Sequence, residues 1–480
     1  MEKQQIFEIA EAAIKRLAEE QGANAKFPFD AVWTYAEHAN EIPATQKAPA
    51  ASYLKRQGFI EPTGSVTKAV TGVRRSSVTN EYKLGRYFRQ TQGSASEELS
   101  IPGAIIALEK AMDAKGFIIS AKEIANFYLG LLTSPLLIIA GLSGTGKSRL
   151  PRLFARSIGA GFYPISVQPQ WSDNADLLGY TSALNPHQFT EGKLIRALRD
   201  ASSDSSKVRI VLLDEMNLAP VEHYFSDFLS VVESRERNEA NLIATDPLPL
   251  DLPRAEPGGE DQHKHLRDLR VPSNLYLIGT ANMDETTRMF SPKVLDRAFT
   301  IEFSEVDLTV FPTGEKDAAP SPDLGLLATT LVDPSRPISI QEAYPLTPAL
   351  FERAAALLEE IRLILRPAEI SFGYRSRDAI LLYLWHWQKY QMQALLPLSD
   401  AMDLCILQKV LPKVSGSGEV LLKVLGELKA WLDQTHEPYE QTGAATAGLH
   451  ALGPFEKSSS KTAQMLYRLE NEGATTFWMH

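Results

Sequence analysis

At 480 residues the chain has room for about three domains of roughly 150 residues each. A hydrophobic fraction of 44% and a charged fraction of 22% are those of an ordinary globular protein and exclude a fibrous or wholly disordered one. The net charge of -10 excludes a chain that coats nucleic acid along its whole length, and a single cysteine excludes an internal disulfide.

In chain order, Met1-Glu2-Lys3-Gln4-Gln5 lacks the apolar run of a signal peptide, so the expected compartment is cytoplasmic. Helical spacing recurs at Ile6, Ile9, Ala13 and Leu17, again at Val32, Tyr35, Ala36 and Ala39, and a third short helix is expected from Ala50 to Gln57. Phe59-Ile60-Glu61 and Glu81-Tyr82-Lys83-Leu84 read as strands flanking a long tip. Three helices and a hairpin make a winged-helix-like domain over residues 1–95. Between residues 50 and 95, Lys55, Arg56, Lys68, Arg74, Arg75, Lys83, Arg86 and Arg89 are set against only Glu61 and Glu81. In an acidic chain that surplus is the footprint of a surface for DNA phosphates. A solvated basic face or a dock for an acidic partner has the same composition.

Gln90 to Ser100 reads as a linker, followed by helices from Pro102 to Lys115 and from Ser120 to Leu131. Ile124 to Leu142 carries no charge and is about as long as the ~18 apolar residues of a membrane span. Asn126, Pro135 and the loop that follows instead mark a helix end and a buried strand, so no membrane is expected as a partner.

That strand, Pro135 to Ala140, leads into Gly141-Leu142-Ser143-Gly144-Thr145-Gly146-Lys147-Ser148. The glycines allow a sharp turn and close backbone approach to a nucleotide's phosphates, with the next helix's positive end behind it. Lys147 is placed to reach the β- and γ-phosphates and Ser148 to put its hydroxyl on Mg²⁺; Ser143 and Thr145 belong to the same cradle. Arg209 to Leu213 is a second buried strand ending in Asp214-Glu215, at the edge where open α/β sheets bind ligands. Asp214 is expected to hold Mg²⁺ through water and Glu215 to polarise the attacking water. Leu275 to Asn282 ends another strand at that edge, where Asn282 can bond both the γ-phosphate and the water. Arg297, just before the strand Thr300 to Phe303, is expected at a subunit edge as an arginine finger for a neighbour's phosphates.

Other features carry less chemistry. Trp171 either touches a threaded polymer or a neighbouring subunit, or anchors its own loop. Residues 236–270, rich in charge, Pro and Gly, read as a poorly packed insertion, and His223, His263 and His265 as solvated loop histidines. Phe311 to Arg336 reads as a linker, and Thr347-Pro348 opens the first helix of a C-terminal helical region. Cys405 lies in an apolar run and reads as a core thiol, and Phe477-Trp478 as an anchor for the chain's end.

The order of these parts resembles the AAA+ superfamily, and more narrowly the McrB family, the motor subunit of modification-dependent restriction systems. The most specific pieces are Leu213-Asp214-Glu215-Met216-Asn217-Leu218-Ala219, Tyr224-Phe225-Ser226-Asp227-Phe228-Leu229-Ser230, Gly279-Thr280-Ala281-Asn282-Met283-Asp284-Glu285-Thr286-Thr287 and Phe290-Ser291-Pro292-Lys293-Val294-Leu295-Asp296-Arg297. The resemblance implies an AAA+ P-loop NTPase core over residues 101–310, a helical lid over residues 330–480, and a sensor 2 role for Arg375, which otherwise reads as a capping or surface arginine. It implies a homo-oligomer, a hexameric ring, hydrolysing ATP or GTP with Mg²⁺ and moving DNA for an McrC-like nuclease subunit, since no nuclease cluster is legible in this chain. GTP-using members follow the asparagine with Thr-Ala-Asp-Arg, whereas Asn282 is followed by Met283-Asp284-Glu285-Thr286, so ATP stays open. The alternative is a MoxR-like ATPase that remodels protein complexes.

Overall fold

Two units make up the chain in this computed structural model: Met1–Glu98 with Asp307–Pro312, and Leu99–Val306 with Thr313–His480. The structure describes residues 6, 9, 10, 12–17, 26–36, 54, 60–68, 78–84, 100–185, 187–238, 242–253, 261–283, 288–303, 309, 324–441 and 448–478.

In the first unit, β1 (Lys26–Pro28), β2 (Ile60–Lys68) and β3 (Val78–Leu84) form an antiparallel sheet in the order β1-β3-β2. β2 and β3 pair from Ile60 with Leu84 to Lys68 with Val78, and the register shifts between Pro62 and Val66. Pro62 has no N–H for the ladder, which fits a bulge beside it. These strands are longer than the sequence suggested. Around Val32 the chain forms a 3-10 turn, Phe29–Thr34, in place of the expected α-helix, with Val32 and Trp33 buried. Residues 6, 9, 10 and 12–17 are helical, and Ile6, Ala13 and Leu17 are buried. Within the third expected helix Leu54 is described, helical and buried, and most of the basic cluster lies outside the described residues.

The second unit opens with α1 (Ile101–Asp113) and α2 (Ala121–Thr133), started by Ser100 and Ser120, whose hydroxyls accept from the N–H groups of Gly103 and Glu123. Glu123 bonds back to the Ser120 N–H at 2.9 Å, closing a capping box. The uncharged stretch from Ile124 is the rest of α2 followed by β4 (Leu136–Gly141). Among the described residues no helix is long and apolar enough to cross a membrane.

After β4 come α3 (Arg149–Ser157) and β5 (Gly161–Ser166), then a hairpin of β6 (Gly179–Thr181) and β7 (Phe189–Glu191). β8 (Arg209–Asp214) follows, then α4 (Ser226–Glu233), the short ladder β9 (Glu236–Arg237) with β10 (Ile243–Ala244), and β11 (Leu275–Asn282). α5 (Pro292–Arg297) leads into β12 (Phe299–Glu302). The central sheet is parallel throughout, in the order β12-β4-β11-β8-β5. β4 is buried along its whole length, the near-continuous apolar run that a strand covered on both faces requires. Pro164 sits on edge strand β5, where a missing ladder donor costs little.

Two expectations are corrected. The segment read as a poorly packed insertion contributes Leu248, Leu266 and Leu269 to the core, and Arg270 Nη1 donates to the Thr245 carbonyl at 2.5 Å; residues 254–260 lie outside the description. Leu324–Leu331, read as linker, is a helix because Leu324, Leu327 and Leu331 fall on one face and are buried. Tyr276 Oη donates to the Leu331 carbonyl at 2.6 Å and holds that helix to the sheet.

The C-terminal region is helical: α6 (Pro348–Leu365), α7 (Tyr374–Lys389), α8 (Leu398–Lys409), α9 (Glu419–Leu432) and α10 (Glu456–Glu472). Buried Asn126 of α2 accepts hydrogen bonds from Tyr383 of α7 at 2.9 Å and Gln408 of α8 at 2.8 Å. That shared acceptor ties this region to the sheet's own helices. Phe477 and Trp478 are buried, with Trp478 Nε1 donating to the Pro412 carbonyl at 3.0 Å, so the terminal pair anchors the chain to its core.

Candidate nucleotide site

The glycine loop leaves β4 at the sheet's carboxyl edge. Gly144 and Gly146 have φ of +84° and +96°, backbone conformations that a side chain disfavours. A Cβ on Gly146 would also stand 2.7 Å from the Phe117 ring, which stacks on Phe303 at 6.4 Å. Phe117 is a floor for the loop that sequence reading missed, because it lies far upstream in a turn without motif. Thr145 Oγ1 donates to the Leu142 carbonyl at 3.0 Å, and Ser143 is exposed on the rim. Lys147 is almost wholly buried, its Nζ donating to the carbonyls of Gly141 at 3.0 Å and Leu142 at 2.5 Å. The loop backbone therefore holds the ammonium across its own mouth.

Ser148 ends the loop, and its hydroxyl donates to Asp214 Oδ1 at 2.5 Å. Thr280 Oγ1 donates to the same oxygen at 2.7 Å and accepts the Glu215 N–H at 2.9 Å. One threonine on the neighbouring strand thus fixes both acidic residues. Glu215 sits at φ 55° and ψ 49°, a left-handed conformation rarely taken by a residue with a Cβ and one that costs on the order of 1 kcal/mol. Strain of this kind at a strand end aims the carboxylate away from the strand's line, and Glu215 is exposed. Thr280 stands in the run that carries the resemblance, but nothing in the sequence assigns it this bridging role between the two acids.

Asn282 pairs in register with Gly141, and the Met283 N–H donates to the Gly141 carbonyl at 3.2 Å. Buried Asn217 steadies this strand end, its Nδ2 donating to the carbonyls of Asn282 at 3.0 Å and Arg288 at 3.4 Å. Gly141, Lys147, Ser148, Asp214, Glu215 and Asn282 therefore converge on one edge of the sheet. Residues 284–287, including Asp284, Glu285 and Thr286, lie outside the described residues. The hydroxyl of Ser148 and the carboxylate of Asp214 are the hard oxygen donors that Mg²⁺ prefers. With a glycine loop that only glycine can form beside them, these residues fit a triphosphate and its metal.

Arg297 occupies the opposite edge. β12 runs parallel to β4 with Phe299 level with Leu137, so Arg297, two residues earlier, stands beside the start of β4, and Ser134 Oγ bonds its carbonyl at 3.0 Å. From Leu137 to Gly141 the strand alone spans about 13 Å, farther than an arginine side chain extends. Its Nη1 donates to the Lys293 carbonyl at 2.7 Å and its Nη2 pairs with Glu233 at the end of α4. Arg375, the second residue of α7, pairs with the other oxygen of the same carboxylate. Arg375 thus stands with Arg297 rather than beside the glycine loop of its own chain.

Behind the arginines, fully buried Lys409 of α8 donates to the carbonyls of Leu295 at 3.0 Å, Asp296 at 3.1 Å and Ala298 at 2.7 Å, capping the end of α5. Burial, reinforced by nearby Lys413, lowers its pKa to about 7. Trp171 is a loop anchor: it is buried, edge-on to Tyr224 at 5.3 Å, with Lys193 over its ring. Cys405 is wholly buried, which raises its thiol pKa and makes it a core residue. His263 stands edge-on to Phe189 at 6.1 Å.

Residues 136–299 match the family described as an AAA domain (dynein-related subfamily), and residues 333–475 match a domain of unknown function, DUF8727. No curated protein matches the chain. Among solved structures, a Cytophaga hutchinsonii protein assigned as an ATPase is 15% identical, over 65% of this chain and 86% of that one, with a TM-score of 0.38. The strand order, the glycine loop at the end of inner strand β4 and the family match make this part of the chain a P-loop ATPase fold of the AAA+ type, followed by a helical region.

Proposed function

We propose that this protein is an oligomeric motor that hydrolyses a nucleoside triphosphate at sites completed by adjacent copies of the same chain. The observation that carries this reading is the position of Arg297 on the sheet edge away from its own glycine loop, so that its guanidinium serves a neighbour's nucleotide.

Within one site, the loop N–H groups and Lys147 bind the phosphates, and Ser148 and Asp214 hold Mg²⁺. When bound there, the metal would supply neutralisation of charge on the phosphate oxygens. Glu215 orients and deprotonates the attacking water, Asn282 holds that water against the terminal phosphate, and Arg297 of the adjacent copy stabilises the transferring group.

Two uses of such a motor compete. An McrB-like role, moving DNA for an McrC-like nuclease through a hexameric ring, is supported by the basic surplus between residues 50 and 95. A MoxR-like role, pulling on protein, is supported by the β6–β7 hairpin, whose tip carries Leu184 at 98% exposure beyond half-exposed Tyr180. An apolar tip suits a peptide better than a phosphate backbone. Hydrolysis of ATP and GTP side by side, with and without duplex DNA, separates them. Stimulation by DNA with a steep salt dependence supports the first; indifference to DNA, with turnover that responds to Leu184→Ser in the presence of an unfolded polypeptide, supports the second.

A further inference from the structure

The dipeptides Asp296-Arg297 and Arg375-Ser376 belong to different helices, yet they are cross-linked twice. On one side, the two oxygens of Glu233 accept one guanidinium each, Oε2 from Arg297 and Oε1 from Arg375. On the other, Lys413 Nζ pairs with the Asp296 carboxylate and donates to Ser376 Oγ at 2.6 Å. Ser376 is wholly buried and the Lys413 side chain is 9% exposed, so the second link is packed into the protein, whereas the Arg375 side chain is 58% exposed.

Two guanidiniums side by side repel, and two flexible side chains lose rotamer freedom when held at one point. One carboxylate between them offsets the repulsion while leaving a net positive pair, which still attracts an anion. Among the described residues Arg297 Nε is buried without a hydrogen-bond partner, and its side chain is anchored through the Lys293 carbonyl and Glu233.

We infer that Glu233 and Lys413 are positioning residues that yoke Arg297 and Arg375 into one two-arginine clamp, presented to a single triphosphate on a neighbouring copy. This rests on the proposed role of Arg297 in a shared site. Glu233 touches no substrate; it acts by fixing where the two guanidiniums stand before they meet phosphate. Lys413 does the same from behind, by locking the register of α7 against α5.

The test compares kcat, KM and nucleotide affinity of the assembled full-length wild type, Glu233→Gln, Lys413→Met, Arg375→Ala and the double variant Glu233→Gln/Arg375→Ala. Glu233→Gln keeps the size and one acceptor but loses the charge. It is expected to lower kcat about tenfold with nucleotide affinity within about twofold, Glu233→Asp is expected to restore part of the loss, and the double variant to lose less than the product of the two single losses. Lys413→Met is expected to follow Glu233→Gln. Wild-type or raised kcat in Glu233→Gln, or losses that multiply in the double variant, overturns the yoke. Arg297→Ala, run in parallel, keeps the two claims apart: if it hydrolyses normally in the assembly the shared site itself fails, whereas if it is inactive while Glu233→Gln is normal only the yoke fails.

Discussion

At the scale of single residues, the site separates binding from turnover. Lys147 puts its ammonium at the loop mouth, so Lys147→Ala is expected to weaken nucleotide binding on the order of 100-fold, the loss of a charged hydrogen bond of about 3 kcal/mol, read by titration with a fluorescent nucleotide. Glu215→Gln is expected to bind as the wild type does while turnover falls on the order of a hundred- to ten-thousand-fold, measured as phosphate release. Thr280→Val tests a residue to which the sequence alone assigned no role. It strips one donor from Asp214 and the acceptor of the Glu215 N–H, so turnover is expected to fall about tenfold and stability by about 1–3 kcal/mol, read by a coupled assay and by denaturant unfolding.

At the scale of elements, Lys409 makes the packing of α8 on α5 depend on pH. Its pKa is about 7 in the folded protein and near the ordinary lysine value when unfolded, so between those limits the unfolded chain binds more protons. Stability from this group therefore rises with pH above 7, by about 1.4 kcal/mol per unit, and the penalty is fully present below 7. Urea unfolding at pH 6 and pH 9 is expected to show a wild type that gains on Lys409→Met as pH rises; a constant difference would rule the titration out.

How far the elements were legible depends on whether their signal is local. The strands β4, β8 and β11 announce themselves as apolar runs ending in Gly141, Asp214 and Asn282, and the carboxyl-edge rule then puts those residues together. Thr347-Pro348 opened α6 as expected, although Thr347 Oγ1 makes no capping bond. Trp171 had two readings because its loop lacks periodicity, and its burial with the ring contact to Tyr224 decides for the anchor. The link between Arg297, Glu233 and Arg375 joins residues 64 and 142 positions apart from Glu233, and no spacing rule reaches that far. Leu324–Leu331 was obscured by the Pro- and Asp-rich residues around it.

At the scale of the whole molecule, the central claim is that one chain supplies the loop and carboxylates while the next supplies the arginine. Two variants inactive for different reasons test it: Glu215→Gln, which retains Arg297, and Arg297→Ala, which retains Glu215. Mixed in equal amounts and allowed to co-assemble, they form some sites with Glu215 from one copy and Arg297 from its neighbour, about a quarter of all sites in a randomly mixed ring. The account predicts recovery of phosphate release toward that fraction. If the two variants co-assemble and the mixture stays as inactive as either alone, Arg297 serves its own chain and the shared site is contradicted.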